Sequence, residues 1–198
     1  MWFIPLLIVF LFVAFLAQEA APMVLSSLLA MLPDGLWSMD IVARATVMVV
    51  PVFFFCAAMS VSFPVMLLLA FATGLLWDCA FAFPVSATDD GVFGVSVFLF
   101  GLLGAVMQGV RPFFVRGRWD VPVMVVGAGV FLFLFLEFLV LSLTRANVEF
   151  PFSLWIKISV STMMSMVLAP VVFWVLYRLA DLTGYEMGDE DQAERRAR

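Results

Sequence analysis

There is no histidine anywhere in the 198 residues, and charge of either sign is scarce, at 13%. The missing imidazole removes the usual general base and the commonest metal ligand, and with them the Ser–His pair of a serine protease. Only two cysteines occur, Cys56 and Cys79, each inside an apolar run, where small buried hydrophobes are expected rather than a disulfide or metal site. No His/Cys spacing suits zinc, no glycine-rich phosphate loop follows a strand, and no basic face suits nucleic acid. An intramembrane aspartyl protease needs two facing aspartates at membrane depth, and only Asp78 is clearly so placed. The chain therefore carries no catalytic set, and neither an enzyme, a metal nor a cofactor is expected.

Apolar surface is what the chain has in excess. Hydrophobic residues make up 65% and mean hydropathy is +1.16. Soluble domains run nearer roughly half apolar and a quarter charged. The excess comes in runs long enough to cross about 30 Å of hydrocarbon, and no period-two alternation of a membrane β-barrel appears. The expectation is an all-α integral membrane protein with about six transmembrane helices, near 2–17, 42–62, 64–83, 92–114, 121–143 and 154–178. Pro51 and Pro170 predict kinks inside their spans. The apolar stretch 20–32 is too short to cross and fits an interfacial or re-entrant helix, or an extension of the first span. Trp2 to Ala17 is read as a retained span. No Lys or Arg precedes it, and cleavage after Ala17 would put Phe15 where a small residue is wanted.

Arg111, Arg116 and Arg118 lie between the fourth and fifth spans and set that loop in the cytoplasm. Six crossings then place both termini inside, and Arg178 at the end of the last span agrees. Residues 1–180 form one transmembrane domain. The charged stretch 181–198, with Gly184 and Gly188, is expected to be a disordered cytoplasmic tail.

Ionisable side chains at membrane depth are costly, so Asp78, Glu137 and Lys157 stand out. All three fall in the outer half of the bilayer. One reading is a polar cluster that binds a substrate or relays protons. The plainer and favoured one is a Glu137–Lys157 pair across adjacent antiparallel helices, with Asp78 capped by a backbone or hydroxyl group. Small residues recur every fourth position at Gly101, Ala105 and Gly109, at Ala70, Gly74 and Asp78, and at Ser161, Ser165 and Ala169. Such stripes allow close helix approach. Packing inside the monomer is expected before contact with another chain.

The run Gly74-Leu75-Leu76-Trp77-Asp78, followed by Pro84, Gly91 and Gly94, resembles the signature of the rod shape-determining protein MreD family. The short first span ending in Ala17-Gln18 is also similar. The likeness covers most of residues 1–145 in layout and only 74–94 in motif. It implies a bacterial plasma-membrane protein of the cell-wall elongation machinery, non-enzymatic, embedded in membrane lipid. Its partner would be an MreC-like protein, and through it MreB, RodA and a transpeptidase. The family's fold is similar to the substrate-binding subunit of energy-coupling transporters. That similarity supplies an alternative, a vitamin- or small-molecule-binding membrane subunit whose pocket would be the outer polar cluster.

Overall fold

A chain with no water at hand must satisfy its backbone within itself, and long runs of Leu, Val, Phe and Ala do so as helices. The computed structural model describes residues 3–29, 47–82, 94–110, 120–144 and 152–183, and among them every regular element is a helix. These are α1 (Phe3–Leu29), α2 (Val49–Ser60), α3 (Phe63–Ala82), α4 (Val95–Val110), α5 (Asp120–Thr144) and α6 (Phe152–Thr183). Helices α1, α3, α5 and α6 are long and apolar enough to cross a membrane, whereas α2 and α4 are shorter apolar helices. The described residues are those of a helical membrane protein.

Helix α2 packs against all five others, and those five close around it in the order α1, α3, α4, α5, α6 and back to α1. Every residue of α2 from Val50 to Ser60 is buried. An apolar helix without a polar face can satisfy this only in the centre of a bundle. Around it, Phe54 meets Phe100 edge-on at 5.0 Å, Phe100 lies 4.6 Å from Phe133, and Trp77 packs 5.6 Å from Phe133. Along the ring, α3 and α4 run antiparallel, as do α4 and α5, and α5 and α6. Gly104 faces Met66 while Gly74 faces Val97, and Gly129 faces Met107 while Gly127 faces Met166.

Three expectations change, and one open alternative is decided. The second span, set at 42–62, is helical only from Val49, which makes it about 18 Å long. Residues 42–46 lie outside the described residues. Pro51 falls in the first turn of α2, where its missing N–H leaves no bond unmade, so it gives no reason for a kink. Residues 20–29 do not form a separate helix. They continue α1 past Pro22, as the extension reading has it, and 30–33 lie outside the described residues. Helix α6 runs through Pro170 to Thr183, so the first residues of the expected tail are helical. The remainder of that tail, 184–198, lies outside the described residues, as do Pro84, Gly91 and the three loop arginines.

Candidate functional site

Glycine and aspartate in the Gly74–Asp78 run act on the same neighbour. At Gly74 the α4 backbone comes so close that a Cβ would overlap Val97 and Ser96. One turn on, Asp78 Oδ2 accepts a 2.7 Å hydrogen bond from the Gly94 N–H at the mouth of α4. Gly94 has φ +99°, a conformation that side chains strain to adopt. Gly94 O in turn accepts from Phe98 N, so the residue starts the helix. The carboxylate thus works as an N-cap supplied by a different helix, favoured by the helix dipole. This is the backbone cap expected for Asp78.

Trp77, between these two residues, turns into the bundle and is 4% exposed. Its indole N–H donates to Glu137 Oε1 at 3.2 Å. The sequence reading missed this partner because it weighed only ionisable groups. The signal available was a lone indole N–H inside an apolar run, which needs an acceptor when buried. Asp78 is the neighbour of Trp77 in sequence, and Phe135 and Trp155, two residues from Glu137 and Lys157 respectively, stack on one another. The structure therefore brings Asp78, Glu137 and Lys157 to one end of the bundle. The hydrogen-bond partner of Glu137 is Trp77 rather than Lys157, whose side chain is exposed on α6. Next to Lys157, Trp155 stacks with Phe135 at 6.0 Å.

Two glutamines complete the arrangement. Gln18 of α1 accepts from Val49 N at 2.6 Å and Val50 N at 3.3 Å, and donates to Val47 O at 2.7 Å. With Pro51 lacking an N–H and Val52 bonded to Met48 O, the first donors of α2 are all accounted for. At the other end Gln108 donates to Ala58 O at 2.6 Å and Val61 O at 2.7 Å. Buried helix ends require such partners for the N–H and C=O groups that the helix itself leaves open. Its closed N-terminus leaves no free N–H for an anion.

The three small-residue stripes divide. Ala70, Gly74 and Asp78 are buried, as are Ser161, Ser165 and Ala169, which agrees with packing inside the monomer. The stripe on α4 does not. Ala105 and Gly109 are exposed, and a Cβ on Gly101 or Gly109 would meet nothing within 4 Å. The glycine of α4 that packs inward is Gly104, against Met66 and Phe54. The physical reason is that α4 is apolar all round, so spacing alone does not tell an inner stripe from an outer one. Of the cysteines, Cys56 is buried as expected, whereas Cys79 is exposed.

Comparison with protein-family models, curated proteins and solved structures gives no match.

Proposed function

We propose that the chain is a non-enzymatic membrane scaffold of the MreD kind, acting in cell-wall elongation and rod shape through an MreC-like partner. The observation that carries the reading is the Gly74–Asp78 motif. Its glycine, tryptophan and aspartate each make a defined contact, and together they fasten α3 to α4 and α5. A fastened hairpin of this kind presents a fixed outer surface. On α4 that surface combines Gly101, Ala105 and Gly109 with the exposed Phe98, Leu102 and Val106. Close approach of a single transmembrane helix suits such a face, because small residues let backbones meet. Six crossings, with both termini in the cytoplasm, belong to the same proposal.

The test uses Gly101→Leu and Gly109→Leu. Both side chains enter open space, so the variants are expected to stay folded and inserted by size-exclusion chromatography and thermal melting. They are expected to lose co-purification with an MreC-like protein and to leave cells round. Folded variants that keep the partner and the rod shape would overturn the partner face.

A second reading rests on one observation. Thr73, Ser161 and Thr162 are buried, and their hydroxyls have no partner among the described residues. Elsewhere Ser60, Ser165 and Thr183 bond back to their own helix. Ser161 lies one turn along α6 from Lys157, which is where a small-molecule-binding subunit would recruit hydroxyls. If cells lacking the protein keep their shape but lose uptake of one vitamin, this reading replaces the scaffold.

A further inference from the structure

Helix α6 carries exposed aromatic residues at two levels. Trp155 is 40% exposed near its start, and Trp174 and Tyr177 are 58% and 55% exposed near its end. At roughly 1.5 Å per residue, the rise from Trp155 to Trp174 and Tyr177 is about 28 to 33 Å. That matches a hydrocarbon core of about 30 Å. Indole and phenol rings favour the headgroup level because one end of each is apolar and the other wet. The two groups therefore mark the two faces of the bilayer on the molecule.

At the second level the guanidinium of Arg178 lies 5.8 Å from the centroid of the Trp174 ring. The three residues share one side of the helix, since 174 and 178 are one turn apart and 177 lies beside them. We propose that this Trp174–Tyr177–Arg178 face binds the phosphate of an anionic phospholipid. The stack holds the planar cation at the headgroup level while its fork of donors stays available to a phosphate oxygen. Charge supports the same occupant. The chain leaves α4 and enters α5 at this end of the bundle, and the connecting sequence carries Arg111, Arg116 and Arg118. Asp181, one turn beyond Arg178, is exposed on the same helix. The inference does not depend on the scaffold reading.

The experiment is native mass spectrometry of the purified protein equilibrated with an equimolar mixture of phosphatidylglycerol and phosphatidylcholine. One cation at a membrane surface gives about a fivefold preference for the anionic lipid. Arg178→Gln is expected to lower the preference by that factor, and Arg178→Lys to retain part of it because the charge stays while the stack is lost. Trp174→Leu is expected to weaken it. Unchanged preference in Arg178→Gln, with folding verified by circular dichroism, would overturn the proposal. So would displacement of the lipid by millimolar inorganic phosphate, which would make this a site for free anions.

Discussion

Asp78 and Trp77 are adjacent in sequence yet point to different helices, and that division explains why both are costly to replace. Asp78→Ala removes the cap of α4 and leaves the Gly94 N–H unpaired, with an expected loss of about 1–2 kcal/mol. Asp78→Asn keeps an acceptor oxygen and is expected to retain most of the stability, as thermal melting in detergent would show. Gly74→Leu has no such conservative outcome, because the obstacle is the α4 backbone rather than a side chain that can turn away. Overpacking of this kind costs about 1–3 kcal/mol or more. For the buried carboxyl, Trp77→Phe and Glu137→Met form a double-mutant cycle, because neither replacement keeps its half of the bond. Non-additive losses of about 0.5–3 kcal/mol would confirm the indole–carboxyl bond, and additive ones would remove it from the account. The glycine and aspartate were legible as a motif, and the three ionisable groups were legible by their cost in lipid. Trp77 was not, because an aromatic residue in an apolar run resembles core until its N–H is shown to have a partner.

Helix α2 is the element that sequence placed least well. Its apolar run extends beyond Val49 in both sequence and expectation, and hydropathy has no term for a helix that ends in mid-bundle. What marks the ends is a pair of uncharged amides on other helices, 29 and 50 residues distant from the carbonyls they bind. Long-range pairs of this kind leave no local trace. Gln18→Leu strands two backbone N–H groups, and Gln108→Leu strands two carbonyls. Each is expected to destabilise by about 1–3 kcal/mol, the usual cost of orphaned buried groups. The two sites are about 18 Å apart along α2, so their effects are expected to add. Marked non-additivity in chemical or thermal unfolding would mean that α2 shifts as a body when either cap is lost. Within α4, Gly104→Leu is expected to unfold what Gly109→Leu leaves intact, because Met66 and Phe54 occupy the space at Gly104. Equal thermal stability of the two variants would contradict the inward and outward assignment of these glycines.

At the scale of the molecule, direction is what links the bundle to the membrane. Asp78 reaches Gly94 while Met66 faces Gly104, so α3 and α4 point opposite ways. Phe135 stacks on Trp155 while Gly127 faces Met166, so α5 and α6 do as well. The chain before α4 and the chain after it therefore leave from opposite ends. The all-helical class and the long spans were legible from hydropathy alone, whereas the ring around α2 depends on which faces meet. The proposed orientation rests on Arg111, Arg116 and Arg118 in the sequence between α4 and α5, since basic loops favour the cytoplasmic side. Single cysteines test this directly, in a background where Cys56 and Cys79 are replaced by alanine. With Asp90→Cys and Arg116→Cys in intact cells, a membrane-impermeant maleimide is expected to label position 90 and spare position 116. Position 116 should react only after the membrane is opened. Labelling of both positions from outside would break the antiparallel assignment of α3 to α5, and labelling of 116 alone would invert the molecule in the bilayer.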